Sequence, residues 1–145
     1  MFFSKGCEYA IRAVIYILNE TAKGGRIGVK SICKNVEAPE SFTAKVLQDL
    51  SRRKVISSIK GPGGGFFLTE DQANKPVINL VKAVDGDQIF QGCGLGLAQC
   101  NEASPCPLHY EFKPIRDQLV KVLSQTKMAD LASAYSKGTF FLKVE

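Results

Sequence analysis

Residues 55–69 read Val55-Ile56-Ser57-Ser58-Ile59-Lys60-Gly61-Pro62-Gly63-Gly64-Gly65-Phe66-Phe67-Leu68-Thr69. Two runs of β-branched or aromatic residues flank a Gly/Pro segment, whose glycines lack the Cβ that would penalise a tight reversal. The stretch therefore predicts a β-hairpin with a basic residue, Lys60, at its turn.

Upstream, Cys7, Ala10, Ile11, Val14, Ile15 and Leu18 recur at three- and four-residue steps, beginning after the N-capping type Ser4 and stopping at Gly24-Gly25. This is the period of an amphipathic helix. A short helix over Val29 to Lys34, a turn from Val36 to Pro39, and a third helix with Phe42, Val46, Leu47 and Leu50 on one face follow. Three helices and then a hairpin are the element order of a winged helix-turn-helix, with the hairpin as the wing. The expected fold class is mainly α with this small β wing.

Downstream, residues 76–84 predict a short helix that packs back on the unit. Residues 85–107 are rich in Gly, Pro and Cys without a regular period and read as a loop. Leu108, Phe112, Ile115, Leu119 and Val122 alternate steps of four and three, the seam spacing of two helices wrapped together, which predicts a long C-terminal dimerisation helix. Pro114 falls within that pattern and marks a kink or the start of the helix's main part. A last short helix is expected from Met128 to Tyr135. The organisation is then a DNA-binding unit over 1–84, a cysteine-containing sensor loop over 85–109, and a dimerisation helix with C-terminal tail over 110–145.

The net charge is +5, and its distribution is uneven: residues 1–60 hold 11 Lys/Arg against 5 Asp/Glu, residues 61–145 hold 8 against 9. All the excess positive charge belongs to the helix-turn-helix half, as a phosphate backbone partner requires. The second helix of such a motif enters the major groove. Ser41, Phe42, Thr43, Ala44 and Lys45 near its start, Gln48 one turn on, and Arg52 and Arg53 at its end are the candidate contacts. Phe42 can meet a thymine methyl, although a face shared with Val46 favours the core. In the wing, Lys60 beside Gly61, Gly63 and Gly64 suits a basic side chain entering the minor groove. No apolar run approaches the length of a membrane span and the start has no signal-peptide layout, so the expectation is a cytoplasmic protein with no membrane partner.

Five cysteines, an odd number, argue against a closed disulfide framework. Cys93, Cys100 and Cys106 crowd together, and His109, the one histidine of the chain, follows Cys106 after two residues. If Cys106 and His109 sit on one helical turn, they share a face and can grip one metal centre. Three thiolates and an imidazole suit tetrahedral zinc or an iron-sulfur cluster, and the wide loops between them favour the larger centre.

Ser4-Lys5-Gly6 with Tyr9-Ala10, Val55-Ile56-Ser57-Ser58 running into Lys60-Gly61-Pro62-Gly63-Gly64-Gly65-Phe66, Ala83-Val84-Asp85-Gly86, and the three cysteines with Cys106-Pro107-Leu108-His109 together resemble the Rrf-type winged-helix bacterial transcription regulators, the family of the IscR and NsrR proteins. The resemblance covers nearly the whole chain. It implies a homodimer and an iron-sulfur cluster held by Cys93, Cys100 and Cys106, two-iron two-sulfur in preference to four-iron four-sulfur; purification in air can remove such a cluster. In the IscR-like branch the fourth ligand falls on His109; in the NsrR-like branch, which senses nitric oxide, it falls on Glu8 of the partner subunit.

The resulting expectation is a DNA-binding regulator, a repressor by preference, that meets a palindromic operator and senses iron-sulfur, nitric oxide or redox state. The alternative keeps the winged helix and replaces the cluster with structural zinc or a thiol-disulfide switch. An enzyme with a cysteine nucleophile is disfavoured, because His109 is the single candidate imidazole base and no phosphate loop, nucleotide fingerprint or catalytic carboxylate pair occurs.

Overall fold

The computed structural model describes residues 2–143. Helix α1 runs from Lys5 to Glu20, α2 from Val29 to Val36 and α3 from Glu40 to Arg52, followed by strands β1 (Ser57–Ile59) and β2 (Gly65–Phe67). Then come α4 (Glu70–Ala73), α5 (Val77–Asp85), α6 (Gln88–Gln91), α7 (His109–Gln125) and α8 (Met128–Ser136).

Local chemistry sets these limits. Ser4 Oγ accepts a hydrogen bond from the Cys7 amide, capping α1 at its start, and Thr21 Oγ1 donates to the Ile17 carbonyl at its end. Glu37, in the left-handed region with φ 52°, terminates α2 and turns the chain into α3. The buried stripes of α1 (Ala10, Val14, Ile17), α2 (Ile32, Val36) and α3 (Leu47, Leu50) meet in one core.

The hairpin is antiparallel, with Ser57 opposite Phe67, Ser58 opposite Phe66 and Ile59 opposite Gly65. Ile27, in the α1–α2 connection, joins through an isolated bridge on the other edge of β2: its amide donates to the Phe66 carbonyl at 3.0 Å and its carbonyl accepts from the Phe66 amide at 2.8 Å. Gly65 permits this approach. Its φ is +147°, and a Cβ there would stand 2.7 Å from the Ile27 carbonyl carbon and oxygen.

Several elements differ from the expectations. The 85–107 stretch is not all loop: α6 occupies Gln88–Gln91 and buries Phe90 in the core. A four-residue helix shows too little of its period to be read from sequence. Helix α4 was also missed, although Thr69 and Gln72 form a reciprocal capping box there. Helix α7 begins at His109 and continues past Pro114, so the proline does not start it. Of its expected seam, Leu108, Ile115 and Val122 are exposed, whereas Phe112 and Leu119 are half-buried against the chain's own elements. Finally, α8 packs on α1 and brings Met128 into the same core, with the Pro76–Lys127 bridge tying the start of α5 to the α7–α8 junction.

Candidate DNA-binding face and cysteine site

Positions 41, 45, 48 and 52 of α3 repeat at helical spacing, and the structure places Ser41, Lys45, Gln48 and Arg52 together on its exposed face, with Ala44 half-buried. Phe42 is not core: it is 48% exposed, with its ring edge-on to Tyr9 at 6.0 Å and Gly6 behind it. Conversely, Thr43 is fully buried and cannot reach a groove. Its 100° offset from Phe42 turns it towards the core, where its Oγ1 has no hydrogen-bond partner. Arg52 and Arg53 both lean on Asp49, at 3.2 and 3.0 Å, in exposed pairs of small energetic weight.

Lys60 is exposed at the wing, and Gly61 and Gly63 take φ of +89° and +72° in open space. At Gly64 a Cβ would stand 2.2 Å from the Ile59 carbonyl oxygen, so the reversal itself needs glycine. An open cleft of about 590 Å³ separates wing and α3, lined among others by Gln48, Arg52, Ser58 and Lys60. Sequence reading missed the residues that fix this geometry. Ser51 and Ser58 hydroxyls meet at 2.7 Å, tying α3 to β1. The Gln72 side chain accepts from the Ser57 hydroxyl and donates to the Lys54 carbonyl. Arg26, exposed beside the wing, stacks over Phe67 with 5.8 Å to the ring centroid.

The expected metal-ligating residues come together as two pairs. Cys93 and Cys106 sulfurs lie 3.6 Å apart, and Cys100 Sγ lies 3.4 Å from His109 Nδ1. The side-chain contacts thus pair Cys106 with Cys93 and His109 with Cys100. Cys106 precedes the helix, its carbonyl accepting from the His109 amide, while His109 opens α7 and faces Cys100. Among the described residues no three His, Cys, Asp or Glu side chains converge to hold one metal ion. His109 is buried, and its Nε2 has no hydrogen-bond partner. Glu8 is paired within its own helix to Lys5 at 3.5 Å, with Oε1 buried and unpartnered.

The cysteines differ in character. Backbone N–H groups of Leu95 and Leu97 point at Cys93 and, with the Cys106 thiol, hold its pKa below the ordinary value. Burial pushes Cys7 up to about 12, with the neighbouring Asp85 carboxylate adding to the effect. Burial likewise raises Cys33. The latter two are core thiols, and the sensor-loop set alone combines partial exposure with clustering. Asp85 also receives hydrogen bonds from the Ser4 amide, at 2.9 Å, and from the Ser4 hydroxyl, so the residue that ends α5 holds the cap of α1.

Arg116, one residue beyond the exposed Ile115, is buried. Its Nη1 donates to the carbonyls of Gly92 at 2.6 Å and Gln91 at 3.2 Å and to Cys100 Sγ at 3.1 Å. No sequence signal singled it out, since an arginine in a polar helical stretch ordinarily faces water.

Comparison with known proteins agrees with this arrangement. Residues 3–134 match the family described as Rrf2, iron-dependent transcriptional regulator. An HTH-type transcriptional regulator of Aquifex aeolicus is 29% identical over 97% of both chains, and the HTH-type transcriptional regulator IscR of Escherichia coli is 27% identical over 90% of this chain and 78% of its own. Among solved structures, T. potens IscR superposes with a TM-score of 0.73 at 14% identity, covering 94% of this chain and 90% of that one. CymR (YrzC), the global cysteine regulator of B. subtilis, gives 0.72 at 20%, covering 91% and 96%. No helix among the described residues is long and apolar enough to cross a membrane. These relatives are transcription regulators, not enzymes, and the chain belongs to the Rrf2 family of DNA-binding transcriptional regulators.

Proposed function

We propose that the chain is a homodimeric regulator, a repressor by preference, that senses iron-sulfur, nitric oxide or redox state through Cys93, Cys100, Cys106 and His109. The observation that carries this reading is the division of the four donors into two pairs. In two-iron clusters each iron takes two protein ligands, so Cys93 with Cys106 and Cys100 with His109, whose Nδ1 faces the sulfur, match that stoichiometry. Glu8 of the partner subunit is the alternative fourth ligand, its unpaired Oε1 being consistent with that role. When bound, such a cluster supplies a centre that reacts with oxygen or nitric oxide and responds to iron supply.

The chain's own residues carry the rest. The sensor loop ends on the first turn of α7, and Leu108 at the cap of α7 with Ile115 and Val122 within it, seven residues apart, forms an exposed apolar stripe for a second copy. Two-fold symmetry then places two α3 helices before successive major grooves, about 10 base pairs apart or a multiple of that, on a palindrome. Ser41, Phe42, Ala44, Lys45 and Gln48 read bases or position the helix. Arg52, Arg53 and the Lys60 wing with Gly61, Gly63 and Gly64 hold the backbone and minor groove. A displaced sensor loop shifts α7 and alters the spacing of the two α3 helices.

The deciding experiment is an ultraviolet-visible spectrum with iron and sulfide analysis on anaerobically purified protein, beside Cys100→Ala. Visible charge-transfer bands lost in the variant support the cluster. Colourless, iron-free protein after anaerobic reconstitution overturns it and leaves the second reading, a thiol-disulfide switch, which the 3.6 Å Cys93–Cys106 separation favours.

A further inference from the structure

Arg116 is 8% exposed, and no carboxylate lies within ion-pair distance of it among the described residues; neighbouring Asp117 is engaged by Lys113 at 2.8 Å. Its three acceptors all fall on Nη1, and its Nε is buried without a partner. Arginine cannot shed its proton in a protein, and a buried guanidinium is costly unless an anion faces it. Of the Gln91 carbonyl, the Gly92 carbonyl and the Cys100 sulfur, only the sulfur can carry a full negative charge, and it must do so as a metal ligand. We propose that Arg116 is the positioning residue of the sensor loop: its buried guanidinium is the counter-charge of the Cys100 sulfur and tethers that sulfur, together with the end of α6, to α7.

The placement gives the tether its consequence. Ile115, 100° away on the same turn, belongs to the exposed seam, so whatever loosens the Cys100–Arg116 contact acts on the helix that bears the seam. A charge-assisted donor on a ligand sulfur also favours the more negative, reduced state of a bound centre. The sensing role of the tether rests on the proposed function above; the contact itself needs no metal.

The test is a double-mutant cycle in metal-free, reduced full-length protein, reading the unfolding equilibrium of wild type, Arg116→Met, Cys100→Ala and the double variant. Arg116→Met is expected to lower the folding constant in both backgrounds, because the Gln91 and Gly92 carbonyls lose their donor in each, but roughly tenfold more in the wild-type background than in Cys100→Ala, with most of that excess rescued by Arg116→Lys. Equal losses in both backgrounds, or no rescue by lysine, overturn the proposal and reduce Arg116 to a strut on two carbonyls. In iron-reconstituted protein, Arg116→Met is expected to shift the oxidised-to-reduced ratio about tenfold towards oxidised, equivalent to about 59 mV for a one-electron couple, and an unchanged midpoint overturns the counter-charge. A coupled cycle in protein that never takes up iron leaves the tether standing and removes the cluster reading. An additive metal-free cycle in a protein whose wild type does take up iron on reconstitution does the reverse.

Discussion

Replacing Gly65 by alanine isolates what holds the wing to the body. The new Cβ would stand 2.7 Å from the Ile27 carbonyl carbon and oxygen, both backbone atoms that cannot rotate aside. The hairpin must therefore withdraw from Ile27 and give up both bridge hydrogen bonds, Ile27 N–H to Phe66 and Phe66 N–H to Ile27. At about 1 kcal/mol each these amount to about 2 kcal/mol. Alanine at φ +147° adds about 1 kcal/mol of backbone strain. The total of about 3 kcal/mol shifts the docked-to-undocked ratio of the wing roughly a hundredfold. Gly61→Ala is the control, because its φ of +89° carries similar strain but its Cβ meets nothing within 4 Å. Amide hydrogen exchange at Phe66 and Ile27 reads the opening directly, and gel-shift affinity reads its effect on DNA binding. Protection lost about a hundredfold in Gly65→Ala and no more than about tenfold in Gly61→Ala is expected. Equal effects of the two substitutions would refute the argument from close approach.

Four other outcomes follow from the geometry. Cys7 has a native pKa near 12 against an ordinary 9.0, so the unfolded chain releases its proton first as pH rises. Stability is complete below about pH 9 and falls towards pH 12 by up to about 1.4 kcal/mol per unit, and urea midpoints for Cys7→Ala should lose that alkaline slope. Thr43→Val removes a buried, unpartnered hydroxyl at constant shape; thermal melts should show it unchanged or up to about 1 kcal/mol more stable, with DNA affinity unaltered. If Lys45 and Lys60 contact phosphate, alanine at either should weaken binding for all sequences and lower the slope of log affinity against log salt by about 1. If the exposed α7 stripe seats a second copy, Ile115→Glu should shift sedimentation from dimer to monomer with the monomer still folded, because the side chain is 58% exposed in one copy.

The wing was legible because Gly61 to Gly65 between Ile59 and Phe66 is a local signal: the turn depends on residues adjacent in the chain. The same holds for α1, α2 and α3, whose apolar periods mark one buried face each, and for the crowding of Cys93, Cys100 and Cys106 ahead of His109. Where a residue's side was set by a neighbouring element, pattern misled. Phe42 shares a stripe with Val46, yet Gly6 and Tyr9 leave it half open to solvent, while Thr43, polar and next in line, turns inward. Periodicity reports that a face is apolar and cannot say how far the next helix covers it.

What the amino-acid order determined by itself was the helix-turn-helix with its basic wing, the basic charge of the first 60 residues, and the crowding of three cysteines ahead of the one histidine. Spacing alone paired Cys106 with His109. The tertiary structure instead pairs Cys106 with Cys93 and His109 with Cys100: α7 begins only at His109, so Cys106 lies outside the helix, and the loop brings Cys93 and Cys100 back to the two residues. It also decided the burial of Arg116 against Cys100, the need for glycine at Gly65 and the return of α8 onto α1. Each of these depends on contacts between residues far apart in the chain, whose positions are fixed only when the core forms; local propensity and period carry no record of them.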